Sequence, residues 1–214
     1  MKFKKDSIGY TIVFTFIVCM LFVVILAAAN QLTLPMAEAN KSFAAHLAVL
    51  KAFGLADAST SRTEVESLYS TKVRELDNAP GDIKGVTAAY AADIDGSAFV
   101  AVKVTGAGLW GSITAILATD PAASRIRGLE ILDQQETPGL GGRIGEDWFQ
   151  AQFKGEKVGP GGTVKVDQNG TGKGDPDKEN GRVDAVTGAS RTSDFVARIV
   201  ADGLSATAKI GGSL

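Results

Sequence analysis

Ile8 to Ala29 reads IGYTIVFTFIVCMLFVVILAAA and carries no charge. As a helix rising 1.5 Å per residue, such a stretch spans about 30 Å, the hydrocarbon thickness of a bilayer. Whatever else the chain folds into, this segment must be covered by lipid, by protein or by a processing enzyme. Lys2, Lys4 and Lys5 precede it, and the first charge after it is Glu38. The positive-inside rule then predicts a cytoplasmic N-terminus and places everything beyond Asn30 on the other side. A cleaved signal peptide is the rival reading, with Ala27-Ala28-Ala29 resembling a cleavage site, although its apolar region is usually shorter. The expectation is a retained single-pass anchor. Cys19 sits mid-span and reads as a small apolar helix residue.

The remainder is large enough to bury a core of its own. The organisation predicted is a cytoplasmic stub at 1–7, a transmembrane helix at 8–29, an extracytoplasmic helical segment at 30–85 and a main domain at 86–214. Charge excludes one class of partner: 22 basic against 24 acidic residues, with no basic stripe, argues against nucleic acid. One Cys and one His, His46, exclude a Cys/His metal site, since zinc needs three or four such ligands. His46 reads as a solvated or capping residue.

Periodicity predicts an amphipathic helix over Ala37–Phe53, with Phe43, Leu47 and Leu50 in register and Gly54 as its stop. A second helix is expected over Thr63–Leu76, opened by a capping-box pattern at Thr63–Glu66. From Val86 the texture changes to short runs rich in β-branched residues: Val86–Ala92, Ala98–Val104, Ile113–Thr119 and Ile126–Asp133. Asp95-Gly96, Gly106-Ala107-Gly108 and Asp120-Pro121 punctuate them as turns. Glu146–Phe153 reads as a short helix carrying Trp148, Phe149 and Phe153. Gly155–Asn180 reads as a Gly/Asp/Lys-rich connection, and Thr192–Ala208 as a helix with Val196, Ile199, Val200 and Leu204 on its apolar face. The fold class is therefore α+β, an antiparallel sheet flanked by helices and preceded by one N-terminal transmembrane helix.

Chemistry concentrates at Asp184-Ala185-Val186-Thr187-Gly188-Ala189-Ser190-Arg191-Thr192-Ser193. Gly188 and Ala189 are small enough for a bulky group to approach the backbone. Ser190 places a hydroxyl just before a predicted helix, whose first turn has unpaired N–H groups and the positive end of a dipole. A phosphate held there meets both, and Arg191 adds a charge. An ordinary Ser or Thr N-cap is the plain alternative.

The segment resembles the flavinylation motif of the covalent-FMN-binding domain family, an Asp followed by a Ser/Thr-Gly-Ala-Ser/Thr stretch. Family membership implies that a flavin transferase moves FMN from FAD onto the last Ser or Thr of the stretch, here Ser190. Thr is the usual residue there; Ser keeps the hydroxyl. Glu136-Thr137-Pro138-Gly139-Leu140-Gly141 resembles the loop that borders the flavin in the same family, a tight turn whose backbone can read the polar edge of the ring. Gly108-Leu109-Trp110-Gly111 is similar to the branch of the family formed by the C subunits of sodium-translocating NADH:quinone reductases, more than to the G subunits of Rnf complexes. The three segments occur in the family's order.

The resemblance implies a cofactor-binding set of Ser190 (covalent FMN), Asp184, Thr187, Gly188, Ala189, Arg191, Thr192, Glu136, Thr137, Leu140, Gly141 and Trp110. Trp110 is alternatively a packing anchor, and Glu136 a solvated loop carboxylate. The implied role is an FMN-bearing electron-transfer subunit, not catalytic alone, with other membrane subunits of a redox complex and a flavin transferase as partners. Rnf-type complexes and stand-alone flavin carriers are the alternatives within the family. A hydrolase built on Ser190 lacks a Gly-x-Ser-x-Gly elbow and has only His46 as base. An interaction protein that has lost its flavin is the third class. The Asp167–Asp175 loop is similar to a calcium loop, but Lys178 stands where a bidentate Glu is needed, so it reads as a solvated loop.

Overall fold

The computed structural model describes residues 8–77 and 83–212. The lysines invoked for membrane orientation, Lys2, Lys4 and Lys5, lie outside the described residues. The chain divides into two compact units, Met1–Ser42 and Phe43–Leu214.

The described part of the first unit is helical. It belongs to α1, a single helix from Ile8 to Phe53 with Pro35 inside it. The sequence predicted a span ending at Ala29 and a separate helix from Ala37, whereas the residues between them are helical too. Asn30-Gln31-Leu32-Thr33-Leu34-Pro35-Met36 contains no Gly stop and several good helix formers. Pro35 removes one intrahelical bond without ending the helix, and the Thr33 hydroxyl donates back to the Ala29 carbonyl at 3.0 Å. The apolar part of α1 is long and apolar enough to cross a membrane. Its large side chains, among them Ile12, Phe16, Leu21 and Val24, are exposed within the chain.

The second unit is built on a five-stranded antiparallel meander, in the order β1 (Val73–Leu76), β2 (Val86–Ile94), β3 (Ser97–Ala107), β4 (Ser112–Thr119) and β5 (Ile126–Asp133). The four β-branched runs become β2 to β5. The β2–β3 hairpin turns at Asp95 and Gly96, both with positive φ (52° and 79°), as a two-residue turn matched to strand twist requires. β1 is a correction: Val73–Leu76 was expected to finish the second helix. Instead α2 covers Arg62–Lys72 and the chain enters the sheet at Val73, which pairs with Ala92. The cap is also two residues earlier than expected, since Ser61 accepts from the Glu64 amide.

Alternation along the strands explains why these runs look continuously apolar: both faces of the sheet are covered. Val100, Val102, Val104, Ile113, Ala115 and Leu117 join Val196, Ile199, Val200 and Leu204 of α4 (Ser190–Gly211) in one core cluster. Ala101, Ile116 and Ala118 face the other way, against Val49, Ala52 and Phe53 at the C-terminal end of α1. Glycines set the approach. A Cβ on Gly203 would lie 2.8 Å from Leu117 Cδ2, and one on Gly106 would lie 2.5 Å from Ile199 Cγ1.

After β5 come a 3-10 turn at Gly141–Gly145 and the short helix α3 at Asp147–Ala151. Phe149 and Phe153 are fully buried and meet edge to face, with Trp148 against Phe149. Burial of each such ring contributes about 1.5–3 kcal/mol. The expected featureless connection at Gly155–Asn180 holds one strand: β6 (Lys165–Asp167) pairs in parallel with β7 (Arg182–Asp184).

Candidate functional site

Ser190 is the first residue of α4, and the position before it is Ala189, which offers no side-chain cap. An Ala in the cap position leaves the first-turn amides without the oxygen that Ser, Thr or Asp would supply. The Ser190 hydroxyl makes no hydrogen bond among the described residues. This corrects the expectation that the helix opens at Thr192. The structure therefore joins a free hydroxyl to an uncapped N-terminus of a long helix.

The turn before it is built tightly. Gly188 has φ +81°, a conformation that side chains rarely adopt, and the space where its Cβ would stand lies 3.4 Å from Leu140 Cδ2. The Ala189 amide donates to the Val186 carbonyl at 2.9 Å. Ser193, absent from the expected site, locks the same turn from inside: its buried hydroxyl accepts from the Val186 amide at 3.0 Å and donates to the Ala189 carbonyl at 3.2 Å. Thr187 and Arg191 are exposed, and Thr192 is buried. Arg191, in the first turn of α4, borders a concavity of about 170 Å³ with Asp194, Phe195 and Arg198.

Asp184 is buried and faces away from solvent. Its Oδ2 accepts from the Thr171 hydroxyl at 2.9 Å and the Gly172 amide at 3.1 Å. The Asp167–Asp175 loop is therefore docked on the motif, where the sequence suggested a loop in open solvent. Gln152, 2% exposed, completes this arrangement and was missed. Its Oε1 accepts from the Asp184 and Asp175 amides at 2.6 and 2.9 Å, and its Nε2 donates to the Asp184 carbonyl at 3.2 Å. Its place directly before Phe153, in a stretch that also carries Trp148 and Phe149, was the one available signal.

Glu136 ties the remaining segments together. It is 4% exposed, so its side chain is not the solvated loop carboxylate that the sequence allowed. Oε1 accepts from the Leu109 and Trp110 amides at 2.8 and 3.1 Å. Oε2 accepts from the Thr192 hydroxyl at 2.7 Å. One carboxylate thus joins the Gly108–Gly111 turn, its own loop and the first turn of α4. Gly108 and Gly141 make this possible, because Cβ atoms there would stand 2.5 Å from Glu136 Oε1 and 2.7 Å from the Thr192 hydroxyl. Thr137 shapes the loop through its carbonyl, which accepts from the Leu140 and Gly142 amides; its side chain is exposed. Leu109, Trp110 and Leu140 present apolar surface outward at 45%, 73% and 48% exposure. Trp110 is accordingly not a buried packing anchor.

Away from this region, His46 is partly exposed and caps no helix. Its Nδ1 meets Glu66 Oε2 at 2.8 Å and its ring stacks on Tyr69 at 3.8 Å. A concavity of about 590 Å³ at the end of α1, lined by Lys51, Glu130, Asp147 and Lys154 among others, contains none of the motif residues. The Lys51–Glu130 pair within it, at 2.6 Å, is half-buried, and that burial pushes the Glu130 carboxyl above the usual range.

The arrangement fits a phosphorylated, planar, partly apolar group. It offers an unbonded hydroxyl, free helix amides and the adjacent Arg191 for the phosphate, a Gly-lined approach, and exposed apolar side chains beside a backbone turn. Residues 108–205 match the FMN-binding domain family. The chain is 28% identical, over 91% of its length and 89% of the other, to the C subunit of the sodium-translocating NADH-quinone reductase of Neisseria meningitidis. Its fold is shared with two solved structures. The C subunit of the same reductase from Parabacteroides distasonis superposes with a TM-score of 0.66 at 23% identity, covering 84% of this chain and 96% of that one. Shewanella oneidensis NqrC gives 0.67 at 18%, covering 82% and 100%.

Proposed function

We propose that the chain, whose residues 108–205 match the FMN-binding domain family, is a membrane-anchored electron-transfer subunit holding FMN as a phosphoester of Ser190. Its place is a sodium-translocating NADH:quinone reductase-type complex, as similarity to the C subunit along nine-tenths of the chain supports. The observation that carries the reading is the convergence of three separate segments, 108–111, 136–141 and 184–192, at the uncapped start of α4.

FMN supplies the electron chemistry; the protein supplies attachment and surroundings. The Ser190 hydroxyl is the acceptor. The first-turn amides and Arg191 stabilise phosphate charge. Gly188 and Ala189 leave room along the backbone. Thr137, Leu140, Gly141 and Trp110 border the ring. Asp184 and Thr187 hold the approach to the acceptor in shape, Asp184 by accepting from the Thr171 hydroxyl and the Gly172 amide. Maturation requires a flavin transferase, and function requires neighbouring membrane subunits.

The apolar span of α1 is the anchor, with the second unit outside the cytoplasmic membrane. Hydrolysis at Ser190 has no comparable support, because His46, the sole histidine of the chain, is engaged by Glu66 and Tyr69.

Co-expression with a flavin transferase tests the assignment. The protein is expected to keep its yellow colour and in-gel fluorescence through denaturation, Ser190→Ala to lose both, and Ser190→Thr to keep them. A Ser190→Ala band that stays fluorescent would contradict the proposal.

A further inference from the structure

The arrangement around Glu136 points to a role distinct from ring contact: we infer that Glu136 is a positioning residue, an ionised clasp that orders the flavin-facing turns and biases the cofactor's potential without touching it. The inference rests on the FMN reading for its redox half and on geometry alone for its ordering half.

Both carboxylate oxygens are already committed to donors of this chain. Oε1 takes the Leu109 and Trp110 amides and Oε2 takes the Thr192 hydroxyl. All three partners donate and none accepts. Nearly complete burial leaves little of the side chain for a ligand. The groups it holds are the ones that matter at the site. Leu109 and Trp110 carry exposed apolar side chains, and Thr192 sits in the first turn of α4, two positions after Ser190.

Hydrogen bonds to a charged, sheltered acceptor are among the stronger ones. Without the carboxylate, the Leu109 and Trp110 amides lose their acceptor, and the 108–111 turn loses its tie to α4. The fixed negative charge acts separately. It opposes the addition of electrons to a nearby group, so removing it should raise that group's midpoint potential.

Two variants separate the two effects. Glu136→Ala removes acceptor and charge together. Glu136→Gln removes the charge, keeps an oxygen for the two amides, and lets its NH₂ donate to the Thr192 hydroxyl. Hydrogen exchange of the full-length protein in detergent, without flavin, reads the ordering directly. Peptides covering Leu109 and Trp110 should exchange about tenfold faster or more in Glu136→Ala and stay close to wild type in Glu136→Gln. In flavin-loaded protein, the midpoint potential of Glu136→Gln should move positive while attachment persists. Unchanged exchange in Glu136→Ala would overturn the clasp, and an unchanged potential in Glu136→Gln would overturn the electrostatic role. Absence of flavin from the wild type would instead count against the FMN reading, and the exchange experiment would still decide the clasp.

Discussion

Thr137 and Ser190 both carry hydroxyls at the site, yet they should respond differently to mutation. The Thr137 side chain is exposed and makes no hydrogen bond among the described residues, while its carbonyl holds the loop turn. Thr137→Val should leave FMN attached and shift its reduction potential by the equivalent of about 1 kcal/mol, the worth of one hydrogen bond. Redox titration against wild type checks this, and an unchanged titration would remove Thr137 from the ring's border. Glu156 supports a second prediction. It is fully buried, its Oε1 accepts from the Gly181 amide at 2.8 Å and its Oε2 has no hydrogen-bond partner among the described residues. Burial raises its folded pKa. A raised carboxyl pKa favours folding while the group is protonated, and that contribution is lost as pH rises through the folded value. Glu156→Gln keeps the Gly181 contact without the charge, so it should raise the melting temperature at neutral pH. The gain should shrink as pH falls into the carboxylate range; an equal gain at both pH values would show that charge burial is not the cause. At this scale the sequence was most informative about groups whose chemistry is unusual in its setting, Ser190 and Glu136. Gln152 and Ser193 were hidden because their partners are backbone amides and carbonyls, which no residue pattern displays.

Among the elements, the four long strands were readable because β-branched runs end at clear turn signals. Their coverage on both faces came only with the structure, as did the partners: α4 on one side and the last turns of α1 on the other. β1 was misread because Val-Arg-Glu-Leu continues the helical spacing of α2 without a break, and pairing with β2 overrides propensity there. β6 and β7, three residues each, are too short to show any period. The continuity of α1 through Pro35 was missed because Pro is ordinarily a stop signal. The contact between the end of α1 and β5 gives an element-scale test. A Cβ on Gly128 would stand 2.5 Å from the Ala52 carbonyl oxygen, a backbone atom that cannot swing aside. Gly128→Ala should therefore cost about 1–3 kcal/mol, as overpacking usually does. Denaturant unfolding measures it, and a neutral result would mean that the α1 end and β5 separate without penalty.

In the molecule as a whole, two features lie far apart along the chain: an apolar helix long enough to cross a membrane and the Ser190 hydroxyl at which we propose the phosphoester. A C-terminal reporter active only on the outer side of the cytoplasmic membrane is the expected topology, and activity confined to the cytoplasm would reverse it. A mature N-terminus near Asn30 would replace the anchor with a cleaved leader. Everything proposed about electron transfer depends on the bond at Ser190. The most direct measurement is the mass of the peptide containing Ser190, fragmented to locate the modification, from protein matured with a flavin transferase. The expected result is FMN esterified to Ser190. An unmodified Ser190, or flavin mapped to Thr187 or Thr192, would contradict it.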